Sequence, residues 1–111
     1  EVAARGADER HFVWGDHWEP TYCKCAHAKP GPAQLEPCGA YIQDRSPFGV
    51  MDMAGGVADW TATIARAGSD DRICRGGRWN TLDLHARAAS RHASAPGSVS
   101  VSVGFRLAFD P

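Results

Sequence analysis

The chain has 111 residues, 43% of them hydrophobic and 23% charged, with a formal net charge of -1. That length suits one domain with one core and leaves no room for two. The near-zero charge gives no footprint for nucleic acid or an anionic membrane surface. The longest stretch without a formal charge, from His92 to Phe105, is too short and too rich in serine to span a bilayer.

The chain opens on Glu1 with no charged-then-apolar leader, so a native start or signal is expected upstream or already removed, and the compartment stays open. "EVAARG" has helix-forming alanines followed by Gly6, a stop signal, and looks like the tail of a helix. "RHFVWGDHWEP" is a short apolar run broken by Gly15, Asp16 and Pro20, which predicts a strand or extended segment entering a turn. "KPGPAQLEP" predicts a surface loop, because its three prolines and one glycine oppose regular structure.

In "SPFGVMDMAGG" the cluster of Phe48, Val50, Met51 and Met53 predicts one buried helical turn. "VADWTATI" and "DRICRGGRW" read as strands, the glycines of the second permitting a bulge or close backbone approach. "HARAASR" has no clear alternation. From Val99 to Phe109 valine, phenylalanine and leucine occupy every odd position, a period of two that predicts a half-buried strand. Short strands, few helices and abundant glycine predict an α+β, loop-rich fold without a parallel sheet.

Cys23, Cys25, Cys38 and Cys74 are an even set. Free thiols are the expected state. If disulfides form, Cys23 and Cys25 need separate partners, for which Cys38 and Cys74 are the candidates. Cys23 and Cys25 could face one way on an extended segment, but only His27 suggests itself as a third metal ligand. Cys74 reads as a small buried strand residue. Asp83 and His85 have acid-base character, yet no nucleophile stands beside them, so neighbouring polar loop residues are the simpler reading.

Four segments, "EVAARGADERHFVWGDHWEP", "SPFGVMDMAGGVADWT", "RICRGGRWN" and "VGFRLA", together resemble the C-terminal half of the formylglycine-generating-enzyme, or sulfatase-modifying-factor, family. The family's signatures read approximately W-E-x-A-A-R-G, F-P-W-G, P-x-G-x-x-D-M-x-G-N-V-x-E-W, R-G-G-S-W and G-F-R. Each is weak alone, and the ordered set spanning residues 1 to 109 is specific. The resemblance implies a C-type-lectin-like fold with a small twisted antiparallel sheet and few short helices. It also implies that residues 1–111 form the C-terminal portion of one domain, with the upstream half absent. An apolar surface left by that half would need cover from it or from a second copy.

Catalytic members of the family oxidise a substrate cysteine to formylglycine, using copper(I) held by two cysteine thiolates shortly after R-G-G. The corresponding interval here, "RWNTLDLHAR", has no cysteine, so copper is not expected. Calcium is the other ion the resemblance implies, at G-N-V-x-E-W. Here the amide position is Gly56 and the acidic one is Asp59, the expected ligand.

Arg75, Gly76, Gly77, Gly104, Phe105 and Arg106 carry the scaffold motifs, with Arg75 expected to pair with a carboxylate such as Asp59 or Asp52. Arg78, where the family often has serine, Trp79, Asn80, His85 and Arg87 are the candidate ligand groove, Trp79 being either a contact surface or core. The function expected is a non-catalytic ligand- or protein-binding domain, like relatives appended to bacterial Ser/Thr kinases. The alternatives are an enzyme with altered chemistry around Arg78, His85 and Arg87, or a retroelement-diversified receptor. The Ala- and Ser-rich interval from Trp79 to Phe105, with no Tyr, does not favour the latter.

Overall fold

The computed structural model describes residues 1–109. Helix α1 (Val2–Arg5) is one turn long and ends at Gly6, whose φ of 74° suits glycine and whose N–H donates to the Val2 carbonyl. A 3-10 turn follows at Pro20–Tyr22, where Glu19 accepts from the Thr21 amide. The sheet is built from β1 (Ala58–Ile64), β2 (Arg72–Arg75), β3 (Arg91–Ser94) and β4 (Val103–Gly104) in the order β3-β2-β1-β4. Helix α2 (Asp83–Ala86) sits in the β2–β3 connection. No helix among the described residues is long and apolar enough to cross a membrane.

The predicted strand at 57–64 forms as β1 and the first half of that at 71–79 as β2, with Gly76 to Trp79 leaving the sheet. The two pair antiparallel with Trp60 opposite Cys74 and a bulge before Ile64 opposite Arg72. "HARAASR" divides between the end of α2 and the start of β3, which pairs antiparallel with β2 from Arg72–Ser94 to Arg75–Arg91. β4 runs parallel to β1, with Val103 opposite Ala58 and Gly104 opposite Asp59. The sheet is therefore mixed, against the expectation of antiparallel pairing alone. Its parallel edge arises because the chain returns to β1 through the long segment after β3.

Three local expectations differ from the structure. "RHFVWGDHWEP" forms a tight turn in which the Phe12 and Gly15 backbones exchange hydrogen bonds, and no strand results. Its aromatics still enter the core: Phe12 stacks on Trp14 at 5.3 Å, and Trp14 meets Tyr22 edge-on at 5.7 Å. "SPFGVMDMAGG" contains no helical turn. Ser46 Oγ accepts from the Phe48 and Val50 amides, the Arg45 and Met51 backbones bridge, and Phe48 is exposed.

The third difference is the largest. Of the predicted strand from Val99 to Phe109 only Val103–Gly104 pairs, with Val103 half-buried, and the other odd-numbered side chains stand in solvent, Val101 at 73%, Phe105 at 76% and Leu107 at 90% exposed. Alternation records which side chains would share a face, and nothing among the described residues packs against that face.

The core lies beside the sheet. It joins Ala4, Phe12, Val13, Cys23, Cys25, Ala28, Tyr41, Ala54 and Ala86, with Trp14, Trp18, Met53 and Ala88 packed on it. Two glycines set its tightest crossing. A Cβ on Gly55 would sit 2.5 Å from the Lys24 carbonyl oxygen, and one on Gly77 would strike the Ala54 carbonyl oxygen. The Ala54–Gly56 backbone is thus sandwiched between Lys24 and Gly77, where only glycine fits. Gly56 N–H donates to the Lys24 carbonyl at 2.9 Å, and Trp79 N–H to the Gly56 carbonyl at 2.7 Å.

Candidate functional site

The scaffold motifs meet at one place. Arg106, two residues beyond β1's parallel partner, donates through Nε to Asp59 Oδ2 at 2.6 Å, through Nη1 to the Met51 carbonyl and through Nη2 to the Asp52 carbonyl, both at 3.0 Å. This clamp holds the C-terminal segment across the end of β1. It also locks Asp52, a non-glycine residue at φ 58°, whose carboxylate accepts from the Gly39 amide. Two hollows flank the clamp and share Asp59 and Arg106. One, of about 480 Å³, is lined by Lys24, Tyr41, Met51, Val57 and Phe105; the other, of about 540 Å³, by Met53, Trp60, Arg75, Arg87 and Leu107.

Arg75 does not reach Asp59 or Asp52, although Asp59 lies opposite it in the β1–β2 register. Its Nη1 donates to the Ala89 and Ser90 carbonyls, each at 3.2 Å, and its Nη2 to Glu1 at 3.1 Å. Asp59 is taken by Arg106, so the Arg75 guanidinium turns to the loop before β3 and to the first residue of the chain. Gly76, at φ 92°, and Gly77 carry the backbone past Met53 and Ala54 as the glycine pair suggests.

The calcium expectation depends on the same carboxylate. Asp59 Oδ2 is bonded to a guanidinium, Gly56 supplies no side-chain oxygen, and no three His, Cys, Asp or Glu side chains converge among the described residues. A calcium ion here would have to draw its six to eight oxygens largely from backbone carbonyls.

The residues of the candidate groove are dispersed. Trp79 is half-buried, and its indole N–H donates to the Val101 carbonyl at 3.2 Å, so it fastens the segment before β4. Asn80, His85 and Arg87 are exposed, and Arg87 lines the 540 Å³ hollow. Arg78 is half-buried against β3, where its Nη2 meets His92 Nε2. Gly104 lies in β4, and Phe105 stands exposed over the 480 Å³ hollow.

A polar cluster that the sequence did not announce lies under that hollow. Lys24 is buried, its ammonium 3.4 Å from Glu36, which also accepts from Tyr41 at 3.2 Å and from Lys29. All four cysteines are free thiols, and Cys23, Cys25 and Cys74 are buried while Cys38 is exposed. The Cys25 thiol donates to the Pro20 carbonyl at 3.6 Å. The hydrogen bond from Cys23 draws the Cys25 thiol down, helped by the His27 amide and Lys24, while the same bond, burial and Asp44 push Cys23 up.

Asp44, 1% exposed, accepts from the Met53 and Ala54 amides and orders the approach to the glycine crossing. Burial pushes its carboxyl up to about 6, with Asp52 adding to the shift against the two amides. Neither Lys24 nor Asp44 sits in a periodic pattern, so no local signal in the sequence marked them as buried.

A small mixed sheet, two one-turn helices and long loops held by arginine clamps and glycine crossings define a C-type-lectin-like fold of the formylglycine-generating-enzyme type. The crystal structure of CarF has this shape, with a TM-score of 0.73 over 94% of this chain and 42% of that one at 20% identity. The chain belongs to the family itself: the sulfatase-modifying factor enzyme 1-like domain matches residues 1–111. It is similar to "Inactive C-alpha-formylglycine-generating enzyme 2" of Mus musculus, 32% identical over 97% of this chain and 40% of the relative. It is also similar to the serine/threonine-protein kinase pkn1 of Chlamydia caviae, 34% identical over 57% of this chain and 13% of the kinase. The chain thus spans 40% of the length of the mouse relative.

Proposed function

We propose that this chain belongs to a non-catalytic binding module of its family. The observation that carries the reading is the interval between Gly77 and β3. It holds Arg78, Trp79, Asn80, Asp83 and His85 but no cysteine, and the thiol nearest to it in sequence, Cys74, is sealed within β2. A soft copper(I) ion needs soft thiolate donors, which that interval does not supply. Likeness to an enzyme named inactive and to a kinase supports the same reading. Asp59 is read as the anchor of Arg106.

The exposed side chains of Val99, Val101, Phe105, Leu107 and Phe109 are read as a contact surface, covered by the remainder of a longer chain or by a second copy. The deciding experiment incubates the protein with a sulfatase-derived cysteine peptide, copper(I), oxygen and a thiol reductant, and follows the peptide by mass spectrometry. An unchanged peptide is expected. Conversion of its cysteine to formylglycine overturns the reading.

A further inference from the structure

Two arginines of the scaffold motifs and Arg78 of the candidate groove are used in different ways. Arg75 is consumed by Glu1 and backbone carbonyls, and Arg106 by Asp59 and two carbonyls. Arg78 alone of the three has no carboxylate within salt-bridge distance among the described residues. Its Nη2 meets a histidine nitrogen, its Nε is sealed from solvent without a partner, and its Nη1 makes no hydrogen bond yet is not sealed. A guanidinium that is partly desolvated and half satisfied is stabilised by any oxygen anion brought to its open side.

The neighbours reinforce that polarity. His92 projects from β3 at the position opposite Cys74, and its Nε2 faces the Arg78 guanidinium. Burial first, then the charges of Arg78 and His85, hold the His92 imidazole below its ordinary value. Accepting from Arg78 at Nε2 leaves the neutral ring its proton on Nδ1, a second donor.

We propose that Arg78 and His92 form a site for a compact oxyanion, a carboxylate or phosphate group of the module's ligand. This rests on the binding-module reading and gives it a ligand class. The Arg78 Nη1 donors bind the anion and the His92 ring N–H adds a second donor, so a guanidinium at this position selects for negative charge where a serine could not.

The test is NMR of the isotopically labelled chain, following the Arg78 Nε–H and His92 ring signals while inorganic phosphate or sodium acetate is added at constant ionic strength. Saturable shifts in the millimolar range are expected for at least one anion, together with a rise in the His92 pKa. Saturation by phosphate only, or by acetate only, tells the two sources apart. Arg78→Gln should weaken binding at least tenfold with the amide fingerprint intact. Arg78→Lys should retain part of it, and Arg66→Gln, on the exposed β1–β2 turn, should change nothing. Non-saturating shifts with both anions, or equal binding by Arg78→Gln, overturn the proposal. None of these outcomes depends on whether the protein oxidises a cysteine peptide, so failure here is separable from failure of the module reading.

Discussion

Gly55→Ala is the sharpest probe of how this chain holds its shape. The added methyl would lie 2.5 Å from the Lys24 carbonyl oxygen, 2.6 Å from its nitrogen and 2.9 Å from its carbonyl carbon, all backbone atoms that cannot rotate away. Ordinary contact needs roughly 1 Å more, so the two segments must part. Overpacking of this kind costs about 1–3 kcal/mol. Parting also lengthens the 2.9 Å bond from Gly56 N–H to the Lys24 carbonyl, adding about 1 kcal/mol. The expected total is about 2–4 kcal/mol, or roughly 10–15 °C in melting temperature for a chain of this size.

Gly97→Ala is the control, because its Cβ would meet nothing and its φ is not positive. It should be neutral or stabilise by up to about 1 kcal/mol. Urea unfolding followed by far-UV circular dichroism measures both. A Gly55→Ala loss below about 1 kcal/mol, or equal losses for the two variants, would show that the backbone sandwich does not set the fold's stability.

Asp44 predicts a pH dependence of unusual sign. Its folded value near 6 stands above the ordinary 3.8, so the folded state binds this proton more tightly than the unfolded one. That contribution is complete below about pH 4 and disappears as pH rises through 6, a loss of up to about 3 kcal/mol. Asp44→Asn should flatten the stability profile across that window, and an unchanged slope would remove Asp44 from the explanation. Thiol accessibility gives the other check. In the native protein DTNB should titrate one cysteine rapidly, Cys38, and all four only in denaturant. Rapid reaction of more than one would contradict the burial of Cys23, Cys25 and Cys74.

Local chemistry made some elements legible. Gly6 stopping α1, the apolar runs that became β1 and β2, and the glycine pair at 76–77 are all decided within a few residues by backbone freedom and side-chain type. The misread elements depend on distant partners. Ser46 and Asp44 gather nearby amides in place of a helix, and the sequence marks neither as a cap. The alternation from Val99 to Phe109 predicted a half-buried strand, but only Val103–Gly104 pairs and Ser102, an even position, is the buried residue, because pairing and cover are tertiary facts that alternation does not contain. The same holds for the candidate site: Arg78 was visible as a replaced residue, whereas His92, fourteen positions on, is its neighbour only because β3 pairs with β2.

The scaffold and the site are separable for a physical reason. The glycine crossing acts through backbone atoms, and the Arg75 and Arg106 clamps reach backbone carbonyls besides one carboxylate each, so most of their partners survive any substitution while the glycine or arginine itself tolerates none. The interval after Gly77 is bound to the scaffold mainly through its own backbone, by the Trp79 amide on Gly56 and the Thr81 carbonyl on Ala26. Its outward side chains can therefore change from thiol or serine to arginine and histidine without disturbing the crossing beneath. A protein built this way keeps its shape while the chemistry on that surface changes, which is the arrangement expected of a binding module on an enzyme's frame.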